Sequence, residues 1–264
     1  MTGTVVPSDK IKDHYNETVK NLKGEYIHYR WGESEIKKRH YKQTELALNH
    51  ALNKVKRFEN VMEIGCGPAV WTPLFSDSAT NITLVDISEE MLNVARERLS
   101  SHNNINYICG DFVNVNLDEK TKYDLIISVR AYEYMSDKPG MVRKCYELLK
   151  PGGSLVIVTK NQGWSDHIKD MEELKKTSVD SIPVGAAMQM DLIDWREMIN
   201  FYHLADFKNV VTYPVIIGSY NQPFSSKVGL IMCDLLHKYS HKRPIANWHN
   251  SLIESYLTIG KKQE

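Results

Sequence analysis

Cysteine is scarce in this chain: four residues in 264, at positions 66, 109, 145 and 233, offer neither a disulfide framework nor the close spacing of a metal site. Free thiols in a reducing cytoplasm are the expectation, with no resident metal. Long apolar runs are missing too, since no stretch approaches the roughly 18 residues that a membrane-spanning helix needs. The amino end lacks the basic-then-apolar pattern of a secretory leader, so the expected location is cytoplasmic. Charge of one sign is also lacking. The 33 basic and 33 acidic side chains cancel, which leaves no extended positive field for a polyanion, and nucleic acid is not an expected partner. The local exception, Lys37-Lys38-Arg39-His40, reads as a solvated helix face or a contact for a phosphate. Repeats, low-complexity tracts and Pro/Gly/Ser-rich linkers are absent, which excludes solenoids and strings of small modules. A 42% hydrophobic content can bury one large core. The oligomeric state, monomer or homodimer, stays open.

What the chain does have is an apolar run, Val61-Met-Glu-Ile64, leading straight into Gly65-Cys66-Gly67-Pro68-Ala69. Glycines at 65 and 67 open backbone angles closed to other residues and let bare backbone approach a ligand. A dinucleotide fingerprint needs a third glycine where Val70 stands, so a pyrophosphate is a poor fit. Glu63 argues the same way: a carboxylate repels phosphate but suits a ligand carrying an amino group and a sulfonium charge. S-adenosylmethionine is such a ligand. Two more apolar runs end in acids. Ile82 to Asp86 is followed by Ser88 as an N-cap for a helix from Glu89, and Tyr107 to Cys109 leads into Gly110-Asp111-Phe112. In a doubly wound sheet the carboxyl ends of strands face the ligand; Asp86 there can accept from both ribose hydroxyls. Asp111 can accept from an adenine amino group, with Phe112 beside the ring.

These residues give the chain its resemblance to the class I S-adenosylmethionine-dependent methyltransferases, in the small-molecule and lipid branch that includes ubiquinone and menaquinone methyltransferases. It runs from about Val55 to Lys160 through Glu-Ile-Gly-Cys-Gly-Pro, Leu-Val-Asp-Ile-Ser, Cys-Gly-Asp-Phe, Tyr-Asp-Leu-Ile-Ile-Ser-Val-Arg and Leu-Leu-Lys-Pro-Gly-Gly. The resemblance implies S-adenosylmethionine as cofactor and S-adenosylhomocysteine as product. Gly65, Cys66 and Gly67 would line the methionine part, Glu63 its amino group, Asp86 the ribose and Asp111 the adenine. Ile87 and Phe112 would flank the base, and Ser128 to Arg130 would close over the cofactor. Ala69 stands where the family pattern has its third glycine.

The expected fold is α/β, a Rossmann-like doubly wound sheet of seven strands, and the resemblance implies that the last strand, at Ser255 to Lys261, runs antiparallel. Strands and helices should alternate from Asn60 to Thr159, with helices on both faces. Asp194 should start a helix through Tyr202, and Val210 to Ile217 should be the sixth strand. Residues 1–58 read as a helical cap, and 59–264 as the cofactor domain with insertions at about 163–190 and 218–250.

The acceptor side is less legible. Tyr15, Tyr26, Tyr29, Trp31 and Tyr41 concentrate in the cap, where aromatic faces suit a sulfonium or an apolar substrate. They equally suit pinning the cap to the core. Arg30 can grip the methionine carboxylate with two parallel bonds. Ile182 to Met190 has the character of a lid, and Ser226 to Tyr239 carries an apolar stripe at helical spacing. For catalysis the candidates are Tyr132, Glu133 and Tyr134, just after the fourth strand, and His167. The expected activity is methyl transfer to a small-molecule or lipid-like acceptor. The alternatives are an RNA or protein methyltransferase, and a non-catalytic cofactor-binding regulatory or assembly subunit.

Overall fold

The computed structural model describes residues 6–52, 57–118, 120–164, 191–217, 231, 234–236, 240 and 242–264. Its centre is a seven-stranded sheet built from β1 (Phe58–Ile64), β2 (Ala79–Asp86), β3 (Ile105–Cys109), β4 (Tyr123–Val129), β5 (Leu149–Lys160), β6 (Lys208–Ile217) and β7 (Ile253–Lys261). The order across the sheet is β3-β2-β1-β4-β5-β7-β6. Strands β1 to β5 pair in parallel, and β7 is antiparallel to both β5 and β6, as the family resemblance implies. The chain crosses from the β3 edge back to β4, so β1 and β4 part company at their carboxyl ends. That switch point is where an open α/β sheet forms a crevice.

Two-residue alternation divides the core between the faces. Val61, Leu125, Ile127, Val129, Val156 and Val158 pack on one side with Leu48, Trp71, Phe75 and Leu92. Met62, Ile64, Ile126, Leu155 and Ile157 pack on the other with Met141, Cys145, Met198, Tyr202 and Phe207. The first face is covered by α2 (Glu35–Leu52) and α3 (Glu89–Arg98), the second by α4 (Lys138–Leu148) and α5 (Trp195–Leu204). Side-chain caps start three of these helices: Ser88 accepts from Met91 N, Asp137 from Gly140 N and Asp194 from Arg196 N. Ahead of the sheet, α1 (Ser8–Leu22) and a π-helical turn at His28–Gly32 precede α2.

Strict alternation of strand and helix does not hold. Two short 3₁₀ turns, Thr72–Leu74 and Ser76–Ser78, connect β1 to β2 where a helix is expected. Pro73 removes a backbone donor and Ser76-Asp77-Ser78 is turn chemistry, while Trp71 and Phe75 still bury their rings against the sheet. Between β3 and β4 the described residues likewise form turns rather than a helix.

Candidate functional site

The floor of the site is the turn after β1. Gly65 N and Cys66 N both donate to Val85 O, at 2.7 and 3.2 Å, which stitches the turn to β2. Gly65, Gly67 and Ala69 have φ values of 64, 52 and 54°. At Gly65 a Cβ would come within 2.2 Å of the Ala131 Cβ, so the close approach of the β1 and β4 loops demands glycine there. Ala69 takes the same left-handed region with a side chain, a strain of about 1–2 kcal/mol that its buried position holds in place.

Beside the turn, the Asp86 carboxylate accepts from Gly67 N at 2.7 Å through Oδ2 and from Ser88 N at 2.9 Å through Oδ1. Burial pushes its pKa up to about 6, against those backbone hydrogen bonds. Asp111 accepts from Val113 N at 3.1 Å and from Asn114 Nδ2 at 2.8 Å. The next segment is anchored by Lys144 of α4, whose ammonium donates to the carbonyls of Phe112, Val113 and Val115 at 2.8, 3.2 and 2.9 Å. Its charge also lies 5.1 Å from the centre of the Phe112 ring.

Helix α1 forms the roof. Ser8 Oγ donates to Asp111 Oδ2 at 2.8 Å, Ser88 Oγ donates to Asn16 Oδ1 at 2.7 Å, and Lys20 pairs with Glu90 at 3.3 Å. The cap's aromatics pin it to the glycine turn: Trp31 meets Trp71 edge-on at 5.2 Å, and Tyr41 stacks on Trp71 at 5.0 Å. Arg30 lies over the Trp31 ring, 4.7 Å from its centre.

The far wall comes from the ends of β4 and β5. Arg130 adopts φ 60°, its N–H donates to Val158 O at 2.8 Å, and its Nε donates to Glu133 Oε1 at 2.9 Å. Thr159 Oγ1 donates to the other Glu133 oxygen at 2.9 Å. Burial works against the charge on Glu133, but the Arg130 guanidinium outweighs it and holds the carboxyl below its ordinary value. Lys160 closes β5 beside this pair; burial, and then the Arg130 charge, push its ammonium down to about 8. Tyr134 faces Tyr15 edge-on at 5.7 Å, and burial raises both phenols, so they are protonated hydrogen-bonding groups at neutral pH.

These walls enclose a cavity of about 600 Å³ at the switch point. Residues 61–153 match the family model described as a methyltransferase domain. The core is a class I S-adenosylmethionine-dependent methyltransferase domain. The chain is 28% identical over 111 residues to a ubiquinone biosynthesis O-methyltransferase of Coxiella burnetii, an alignment covering 42% of this chain and 47% of that one. It is 25% identical over 171 residues to malonyl-[acyl-carrier protein] O-methyltransferase 2 of Ilyobacter polytropus, covering 58% and 63%. The chain thus spans about half to two thirds of the length of these relatives. Phosphoethanolamine N-methyltransferase 2 of Haemonchus contortus, solved with S-adenosyl-L-methionine, superposes with a TM-score of 0.64 at 16% identity, covering 99% of this chain and 61% of that one. At that identity the likeness speaks to the fold.

Within the methyltransferase domain and its roof, Gly65, Cys66, Gly67, Asp86, Ile87, Asp111, Phe112, Arg130, Arg30 and Tyr134 all line the cavity. Four expected contacts do not, and one of them, Ser128, is fully buried within β4. Glu63 is buried on the Val61 face of β1, behind the turn, where Thr72 Oγ1 donates to it at 2.6 Å. Burial pushes its pKa up to about 8. Tyr132 is fully buried in the second core, donating to Lys138 O at 3.1 Å, and Glu133 is occupied by Arg130 and Thr159. The first is a core residue and the second a positioning residue for Arg130. His167 and Ile182 to Met190 lie outside the described residues, as does most of Ser226 to Tyr239.

The cavity also includes residues that the sequence reading did not assign to it, among them Lys160, His14 and Met91. A cation closing the apolar run Leu155 to Thr159 is the same signal that singled out Asp86, with the sign of the charge reversed. The donor set fits S-adenosylmethionine. Asp86 uses two of its roughly four lone-pair sites on the backbone and keeps acceptor capacity at the cavity wall for two hydroxyls. At Gly67 a Cβ would meet only Met91 Sδ at 3.9 Å, so the glycine leaves room over the turn.

Proposed function

We propose that this chain transfers a methyl group from S-adenosylmethionine to a small-molecule or lipid-like acceptor, with residues 1–58 acting as the cap that encloses both. The observation that carries this reading is the roof: α1, fastened to Asp111, Ser88 and Glu90, covers a cavity with acids on one side and aromatics above. A covered cavity of about 600 Å³ suits a cofactor with a compact acceptor rather than a folded macromolecule. The name of the ubiquinone biosynthesis relative supports a lipid-like acceptor, that of the second relative a small malonyl group borne on a carrier protein, and the balanced charge of the chain argues against nucleic acid.

When bound, S-adenosylmethionine supplies a methyl group on a positively charged sulfur. The chain's own contribution is alignment and exclusion of water. Asp86 and Asp111 fix the nucleoside end, Gly65 and Gly67 give the methionine end room, and Arg30 grips its carboxylate. Tyr15 and Tyr134 stay protonated and so present hydrogen-bond donors to the acceptor. Incubating the protein with methyl-labelled cofactor and fractionated cell extract tests the reading. Label should enter the low-molecular-weight or lipid pool; label confined to RNA or protein would overturn it, as would no label in any pool while the cofactor binds.

A further inference from the structure

The cations of the cavity outnumber what the cofactor can use. Arg30, Arg130 and Lys160 line it on the β4 and β5 side. Arg130 is compensated by Glu133. Glu254, on β7, lies 3.7 Å from His40 Nε2, an imidazole whose pKa burial lowers, so its carboxylate remains a through-space counter-charge to Arg130 and Lys160 without a direct ion pair to either. Among the described residues, Arg30 has its cation–π contact with Trp31 and no carboxylate partner, and the Lys160 ammonium has neither a hydrogen bond nor an ion pair within contact distance. An ammonium in that position is costly, because it has left bulk water and stands close to a guanidinium of like charge. S-adenosylmethionine brings one carboxylate, which satisfies one cation at most, and its sulfonium adds another positive charge. The Lys160 ammonium is then the cation at the end of β5 that faces the cavity without a direct partner.

Building on the methyltransferase reading, we propose that the acceptor carries an anionic oxygen group, a carboxylate or a phosphate, that seats on Lys160 at the carboxyl end of β5. Such a group removes the like-charge repulsion among Lys160, Arg130 and the sulfonium, and it orients the acceptor from a fixed point. This lysine is then the specificity determinant, because an uncharged analogue leaves the half-buried ammonium without a direct partner.

The test uses the full chain saturated with S-adenosylhomocysteine and titrated calorimetrically with phenyl phosphate, benzoate and uncharged benzyl alcohol. At least one anion should bind tenfold or more tightly than the alcohol, and the better of the two identifies the group. In Lys160→Gln that preference should shrink to within threefold, with affinity for S-adenosylhomocysteine unchanged within threefold. Equal binding of all three probes overturns the proposal, as does a preference that survives the substitution. A tenfold loss of S-adenosylhomocysteine affinity in the variant also overturns it, since the lysine would then serve the cofactor. Failure of the wild type to bind S-adenosylhomocysteine defeats the underlying methyltransferase reading instead.

A second readout needs no variant. The charged groups around Lys160 are Arg130 and Arg30 on one side and Glu133 and Glu254 on the other. An anion arriving among them favours the ammonium and raises its pKa from about 8, so binding near pH 8.5 should take up a proton. Titrations in two buffers of different ionisation enthalpy measure that uptake, and its absence overturns the proposal.

Discussion

The two sides of the cavity carry opposite charge and are made in different ways. On the β2 and β3 side, Asp86 and Asp111 follow apolar strands directly, and neighbouring backbone N–H groups hold each carboxylate. On the β4 and β5 side, Arg130, Lys160 and Arg30 come from three distant parts of the chain, and the buried carboxylate of Glu133 steadies the first of them. The acidic side is thus a local product of strand-end chemistry. The basic side exists only after the cap, β4 and β5 have come together. A cofactor with a cationic centre and a polar nucleoside suits the first, and an anionic partner suits the second.

The largest effect expected from breaking this contrast is at Glu133. Its removal in Glu133→Ala leaves the buried Arg130 guanidinium without its counter-charge, and denaturant unfolding should show a loss of about 3–5 kcal/mol. A loss below about 1 kcal/mol would mean that Arg130 relaxes into water and that the basic side is soft.

Glu63 gives the next effect, one of pH. Its folded pKa of about 8 lies above the ordinary 4.5, so the folded protein keeps a proton that the unfolded chain releases between those values. Its contribution to stability is therefore complete below pH 4.5 and is lost as the pH rises through 8. Relative to Glu63→Gln, the wild type should lose stability across that window, with a limiting slope of about 1.4 kcal/mol per pH unit and on the order of 4–5 kcal/mol in all. Parallel pH profiles for the two proteins would refute this.

On the acidic side, Asp86→Asn should weaken S-adenosylmethionine binding at least tenfold, roughly 1.5–3 kcal/mol, because a charge-assisted acceptor is lost while the side-chain shape is kept. In the wild type, affinity should also fall below about pH 6, where the free carboxyl takes up a proton that binding must expel. Calorimetry across pH 5 to 8 checks both effects, and a flat profile would count against Asp86 as the ribose acceptor. The smallest change concerns the floor that both sides share: Ala69→Gly relieves a left-handed backbone and should raise stability by about 0.5–1 kcal/mol, read as an upward shift in Tm.

The chain sequence carried most of the acidic side. Apolar runs ending in Asp86 and Gly110-Asp111, the Gly65 and Gly67 turn, and the Ser88 cap are local signals, each recognisable within about ten residues because strand and turn chemistry act at that range. Strand order and the antiparallel β7 followed from the same pattern together with the family resemblance. Residues of similar appearance in the sequence diverge in the fold by a rotation or a turn. Glu63 precedes the glycine turn, as expected of a ligand contact, yet two-residue alternation directs it into the core beside Thr72. Tyr132 and Tyr134 are two residues apart; one is sealed in the core against Lys138 and the other lines the cavity. In the β1–β2 connection, Pro73 outweighs the expectation of a helix.

By itself, then, the amino-acid sequence determined the strands, the glycine turn and the acids that line one side of the cavity, because all three rest on periodicity and on short-range backbone geometry, while the antiparallel β7 came with the family resemblance. Only the tertiary structure decided which charges share the cavity. Lys160 is an ordinary cation at the end of a strand until β4, β5 and the cap place it near Arg130 and half-bury it, since burial and like-charge proximity are properties of the packed chain.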